Sequence, residues 1–322
     1  MGTQMPYYDS QQDQQYIPAP QPYTKPGERS KVFIKNLFFR VEKNIAVNIE
    51  DLYGELEAKR PPDPILFDDV RSFYLHLHKG KIVITEPSIK VLMNEYVLNY
   101  PGCPLSDIDV KFTTGKMKIT GKMKKIITLS FEMEGMSVPT ADGLIKFIPD
   151  SIKAAGIPAK GLMDFLGMEV AGMMNINENR GIKIDGNAMI MDCKKMFPPP
   201  TLIGKVVGVE LQEGKKILYF DDGIKPPTPK LPDPTVQNYM YITGGTVKMM
   251  NEVHSNANLL MVDMDPSDLF DFYMKEYKRH LRAGYVKVMD DRGTLITPMP
   301  DYAKMENNLQ PQTTPNIQAQ SR

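Results

Sequence analysis

The side chains that could do chemistry are few. His76 and His78 stand two apart in FYLHLHKG, a spacing that puts both rings on one face of a strand. Paired imidazoles ligate metals, but a site needs further ligands, and no local Cys, Asp or Glu pattern supplies them. The pair therefore reads as a solvated strand face. His254 and His280 are isolated. Cys103 and Cys193 lack zinc-ligand spacing and are too few for a disulfide framework, and whether they pair stays open. Asp263, Asp265, Asp268 and Asp271 gather in VDMDPSDLFDF. Grouped carboxylates invite calcium, yet the glycine and the closing glutamate of an EF-hand loop are missing. Asp and Ser beside a proline are also ordinary turn and capping chemistry, which is the reading preferred. Gly156-Ile-Pro-Ala-Lys-Gly161 is the nearest approach to a phosphate loop, and Leu162 follows it where Lys-Ser/Thr is needed. No nucleophile elbow and no dinucleotide fingerprint occurs. The expectation is a protein without catalysis, cofactor or metal. An enzyme would need the aspartate group to hold a metal.

Two residue types are unusual in number or placement. The chain has 322 residues with 39 Lys+Arg against 39 Asp+Glu, so a general nucleic-acid binder is not expected. Within that balance, Lys111, Lys116, Lys118, Lys122, Lys124 and Lys125 form one basic concentration. Lys116, Lys118, Lys122 and Lys124 share a strand face. They read either as a solvated sheet face or as a docking surface for anionic lipid head groups, at about 1 kcal/mol per lysine. The chain also has 23 methionines and no tryptophan. Unbranched thioethers repack easily, so they suit either a core or a surface for variable apolar partners.

The elements that must carry these residues are mostly strands. Phe73, Leu75 and Leu77 alternate, Lys79-Gly80 reads as a turn, and Ile82 and Ile84 resume, which predicts a hairpin. EPSIKVLMNEYVLNY places Ile89, Leu92, Met93, Tyr96, Val97 and Tyr100 at helical spacing, with Thr85 as N-cap and Pro87 in the first turn. It predicts one amphipathic helix ended by Pro101-Gly102. In KMKITGKMKKIITLSFEME, apolar residues hold the odd positions (Met117, Ile119, Met123, Ile127, Leu129, Phe131, Met133) in a single phase. A single strand of that length would run about 60 Å, so either Gly121 bends it or a turn hides there, and the unbroken phase favours the bend. Leu162, Phe165, Leu166, Val170 and Met173 fit a second helical stripe. Strands follow in GIKIDGNAMIMD and LIGKVVGVEL, then KKILYF after a Glu213-Gly214 turn. Further on come a hairpin through Gly244-Gly245, a strand in ANLLMVDMD, a short helix in FDFYMKEYKRHLRAG and a last hairpin through Asp291-Arg292-Gly293.

Three phrases, with the closing stretch RGIKIDGNAMIMDCKKMFPPPTLIGKVVGVELQEGKKILYF, resemble the LmeA-like phospholipid-binding family of the tubular lipid-binding (TULIP) superfamily. They are GKIVITEPSIKVLMNEYVL, GKMKITGKMKKIITLSFEMEGMSVPTADGLIKFIP and GIPAKGLMDFLGMEVAGM. The resemblance covers about residues 70–221. It implies an α+β fold in which a long curved antiparallel sheet wraps an amphipathic helix, leaving an apolar groove for acyl chains. It implies no catalytic residues. Members are commonly exported or held at the cell envelope, whereas the first 30 residues here lack a signal peptide's apolar core. No apolar run approaches the roughly 20 residues that span a bilayer.

The expected organisation is a disordered tail (1–30), a lipid-binding domain (31–221), a proline-rich linker (222–235), a small β-rich region (236–302) and a disordered tail (303–322). The expected function is non-catalytic binding, with or without transfer, of phospholipid or another fatty-acyl amphiphile. The groove would be lined by Ile89, Leu92, Met93, Tyr96, Val97, Met117, Ile119, Met123, Ile127, Leu129, Phe131, Met133, Leu162, Phe165 and Leu166. Peripheral membrane contact would run through Lys116, Lys118, Lys122 and Lys124. The alternative is a structural or interaction protein of the cell envelope whose core is fully packed.

Overall fold

The computed structural model describes residues 24, 25, 27–124, 127–158, 160, 161, 177–285 and 290–307. Its strands are β1 (Arg29–Arg40), β2 (Ala46–Ala58), β3 (Ile65–Leu66), β4 (Phe73–Thr85), β5 (Leu105–Thr113), β6 (Lys116–Lys124) and β7 (Thr128–Pro139). Next come β8 (Ile145–Ala154), β9 (Ile157–Pro158), β10 (Ile182–Asp185), β11 (Ala188–Met191), β12 (Thr201–Gly204), β13 (Val206–Gln212) and β14 (Lys215–Asp221). The last are β15 (Tyr239–Thr243), β16 (Thr246–Met249), β17 (Glu252–Ser255), β18 (Asn258–Asp263), β19 (Phe270–Tyr273) and β20 (Leu295–Met299). The α-helices are α1 (Glu86–Val91), α2 (Cys193–Met196), α3 (Tyr277–Ala283) and α4 (Tyr302–Asn307).

A ten-stranded sheet runs β13-β14-β4-β2-β1-β15-β18-β20, with β12 added to β4 and β19 to β1. A seven-stranded sheet runs β10-β11-β8-β7-β6-β5, with β9 on β8, and a three-stranded one runs β17-β16-β3. β12, β19, β20 and β3 pair in parallel with β4, β1, β18 and β16, so the large sheet is mixed. β13 and β14 lie against β5–β7. One apolar core joins both layers, from Leu37 and Leu77 of the large sheet to Phe112 and Phe147 of the small one.

This corrects the α+β expectation of one curved antiparallel sheet around a long amphipathic helix. Among the described residues the longest α-helix, α3, has 7 residues. Thr85 does cap α1, accepting the Ser88 N–H at 3.4 Å. After Val91, however, the chain widens into a π turn, Leu92–Val97. There the Asn94 side chain donates to the carbonyls of Lys90 (2.8 Å) and Ile108 (2.7 Å) and accepts the Ile108 N–H (2.9 Å). An amide that serves a neighbouring strand competes with the helical ladder, which is the usual setting of such a turn.

Three strand expectations also change. Phe73–Thr85 is one strand rather than a hairpin. The pairing of β2 with β4 shifts register at Tyr53/Gly54, leaving His78 as an extra residue on β4. Such a bulge switches which parity faces inward, so the apolar phase moves from Phe73 and Leu77 to Ile82 and Ile84 without any reversal of the chain. The long alternating run is instead a hairpin, β6 against β7, that turns between Lys124 and Thr128. Gly121 sits mid-strand opposite Phe131. The two strands share a phase because an odd number of turn residues returns odd positions to the same face. β15 and β16 do not pair with each other: the Gly244-Gly245 turn sends the chain from the large sheet to the three-stranded one.

β15, β18, β19 and β20 complete the ten-stranded sheet, so 236–302 is built into it. The proline-rich stretch crosses that sheet's second face, where Leu231 and Val236 pack on Phe33, Tyr53, Tyr239 and Tyr241. Arg29 and Ser30 belong to β1 and residues 303–307 to α4, which shortens both expected disordered tails. The rest of those tails, the second expected helix with Leu162, Phe165 and Leu166, and the first arm of the last expected hairpin lie outside the described residues.

Candidate functional site

The inward face of β6 and β7 does not close completely against the helical segment above it. Between them lies an apolar cavity of about 70 Å³. It is walled by Ile89 and Met93 from above, by Met117 and Ile119 of β6, and by Phe131 and Met133 of β7. Ile108, Val110, Ile182, Met189, Met191 and Lys216 complete most of the rest. Strand alternation puts the odd residues of β6 and β7 on this side. Helical spacing puts Ile89 and Met93 opposite them. Five of the lining residues are methionines, whose three rotatable bonds let a wall repack around a guest. As it stands the void of about 70 Å³ has room for about two water molecules, or as many methylene groups.

Of the other residues expected to line a groove, Leu92, Val97 and Met123 are buried in the core. Tyr96 is half-buried beneath the Arg180 guanidinium, 5.2 Å from its ring centre. Leu129 is half-buried, and Ile127 is 64 % exposed at the hairpin end. A second cavity, about 80 Å³, lies on the inner face of the large sheet. Its walls are branched, aromatic and proline side chains such as Ile49, Phe73 and Pro200, with Met240 and Met274. They offer little freedom to repack and, among the described residues, no charged group to orient a guest.

The first cavity does have a charged group, and sequence reasoning passed over it. Lys216 on β14 is only 5 % exposed and is one of the residues lining this space. Its ammonium donates to Ser137 Oγ at 3.3 Å, and among the described residues no carboxylate lies within ion-pair reach. Burial pushes its pKa down to about 8, slightly offset by the neighbouring Cys193. Burial pushes the Cys193 thiol up to about 11, so it is an inert thiol at neutral pH. Cys103 and Cys193 are both free. A signal for Lys216 was present in KKILYF. Lys216, Leu218 and Phe220 alternate on one face, and two adjacent lysines opening a buried strand cannot both face water.

The lysines of β6 are largely neutralised. Lys116 pairs with Asp150 (2.5 Å), Lys118 with Glu132 (2.7 Å) and Lys122 with Asp107 (2.8 Å). Lys124 is exposed. Cross-strand pairing of this kind leaves little excess charge for an anionic surface.

The histidine pair is not a solvated face. His76 Nε2 lies 2.8 Å from Glu57, and His78 Nδ1 2.7 Å from Asp222, with Arg29 bridging Glu55 and Glu57. Burial, first of all, holds the His76 pKa below its ordinary value. In the aspartate group, Asp263 accepts the Asp265 N–H (2.8 Å) and Asp265 accepts the Ser267 N–H (3.2 Å), both turn-forming bonds. Asp263, Asp268 and Asp301 do bring oxygens within 4.8 Å of one another. The Lys304 ammonium already serves this cluster, 2.5 Å from Asp265 and 2.8 Å from Asp301. Asp271 belongs elsewhere, held by Arg40 at 2.6 and 3.0 Å.

Gly121 makes the cavity wall sensitive to one methyl group. A Cβ there would stand 2.6 Å from Ile108 Cδ1 and 2.9 Å from the Phe131 ring, both lining groups. Because these are side-chain tips beside free space, they can give. Gly121→Ala is expected to cost only about 1 kcal/mol in urea denaturation.

Among the described residues no helix is long and apolar enough to cross a membrane. No protein-family model, curated protein or solved structure matches the chain.

Proposed function

We propose that the chain binds an acyl-chain amphiphile, without transforming it, in the cavity between the β6–β7 hairpin and the helical segment 86–97. The observation that carries this reading is the wall itself: five methionines around an unfilled apolar space. Burying a tail contributes about 0.8 kcal/mol per methylene. Tails longer than about two carbons would enter by displacing methionine side chains, which is the adaptation that residue permits.

The competing reading is a scaffold with a closed core, and the small size of the void favours it. Uptake by protein freed of bound lipid separates the two. The stripped protein is expected to bind a fluorescent acyl probe saturably at one site per chain. Ile119→Phe, which projects a ring into the space, is expected to weaken that binding at least tenfold with the fold intact by circular dichroism. A stripped protein that takes up no probe, and that yielded no acyl lipid to solvent extraction, is a scaffold.

A further inference from the structure

Lys216 places a buried ammonium at the edge of an apolar void. Lys216 carries three N–H donors, and the described residues supply one acceptor, Ser137 Oγ at 3.3 Å. Among the described residues, the rest of that cavity's lining is apolar. Cys193, the one ionisable neighbour acting on it among the described residues, is a buried neutral thiol and balances no charge.

We infer that the cavity's guest is a linear monocarboxylate whose head group sits on the Lys216 ammonium, with its alkyl tail among the methionines. The inference rests on the ligand reading above and adds the polar end of the ligand. Three features favour an anion over a neutral amphiphile. Folding has already stripped Lys216 of water, so an arriving carboxylate meets a cation whose desolvation is complete before binding. In such surroundings an opposite charge is attracted far more strongly than in water. At neutral pH the lysine is still mostly protonated, since burial brings it down only to about 8. Size selects the class further. Carboxylate is the most compact common anionic head group, so it asks for the least displacement of the wall around a void of about 70 Å³. Ser137, which is not among the lining residues, holds the ammonium in place by accepting one of its N–H groups, leaving the others for a guest.

Calorimetric titration of the full chain at pH 7 with octanoate and with 1-octanol tests this, because the two ligands share a tail and differ in head group. Octanoate is expected to bind at least about tenfold more tightly, the size of effect a charge-assisted hydrogen bond confers. In Lys216→Met the octanoate affinity should fall to that of octanol, with octanol itself changed less than about twofold. Equal affinities in the parent chain, or undiminished octanoate binding in Lys216→Met, overturn the assignment of Lys216 and leave the cavity reading standing. Failure of both ligands to bind overturns this inference and the cavity reading together.

Discussion

Lys216→Met is expected to stabilise the protein by about 2 kcal/mol at pH 7 and to leave it about 1 kcal/mol less stable than the parent above about pH 10.5. Burial lowers the pKa of the ammonium from 10.5 in the unfolded chain to about 8. At about 1.4 kcal/mol per unit, the folded state is destabilised by about 3 kcal/mol wherever both states are charged, which is everywhere below pH 8. Methionine fills a similar volume without charge. It leaves Ser137 without its donor, a loss of about 1 kcal/mol, so the net gain is about 2. The sign of the pH dependence follows from proton counting. Between pH 8 and 10.5 the unfolded chain holds the proton that the folded chain has released, so the stability of the parent rises with pH and closes the gap. Urea unfolding of both proteins at pH 7 and pH 10.5 reads both numbers. A variant no more stable than its parent at pH 7, or one whose advantage persists at pH 10.5, shows that Lys216 is not desolvated in the folded chain. The same desolvation is what an arriving carboxylate would turn to its own favour, so binding and destabilisation have one cause.

How far the sequence reveals this site depends on the range of the interactions that form it. Met117, Ile119, Phe131 and Met133 were legible as one apolar face because strand alternation is local, and the Thr85 cap was legible for the same reason. The turn after Lys124 was not, because a turn with an odd residue count preserves the phase on both sides and so imitates one long strand. At His78 the opposite error arises. A bulge changes the phase as a reversal would, and only the register against β2 distinguishes them. The π turn depends on Asn94 reaching Ile108, and the route taken after Gly244-Gly245 on which edge the next strand finds. None of these pairings is encoded within a short window. Lys216 lies between the extremes: its inward direction was readable from Leu218 and Phe220, but the void it lines is made by residues on another sheet.

The acid response should expose a second buried titrating group. Asp263→Asn is expected to lose about 3 kcal/mol of stability between pH 7 and pH 4, clearly more than the parent chain over the same interval. The loss arises at His280, which has no exposed surface. Its Nδ1–H donates to the Pro300 carbonyl (2.9 Å), and its Nε2 accepts the Tyr273 N–H (3.1 Å), so both ring nitrogens are committed in the neutral form. Burial pushes its pKa down to about 4. The unfolded chain takes up a proton near pH 6.5 and the folded chain only near pH 4. The stabilisation is therefore complete above pH 6.5 and gone below 4. Asp263 acts in the reverse sense. Burial, chiefly, pushes its pKa up to about 6 from 3.8, so the folded state gains a proton first and becomes relatively more stable as the pH falls through that range. In the parent the two responses oppose each other across nearly the same window. Asparagine removes one of them while its carbonyl can still accept the Asp265 N–H, now at 2.8 Å. Carboxylates held low by partners, such as Asp290 at about 2 through its bonds to Thr294 and Arg292, respond alike in both proteins and cancel in the comparison. Urea midpoints at pH 7, 5.5 and 4 give the two curves. If they run parallel, Asp263 does not titrate in this range, and the acid response of the parent belongs to His280 alone.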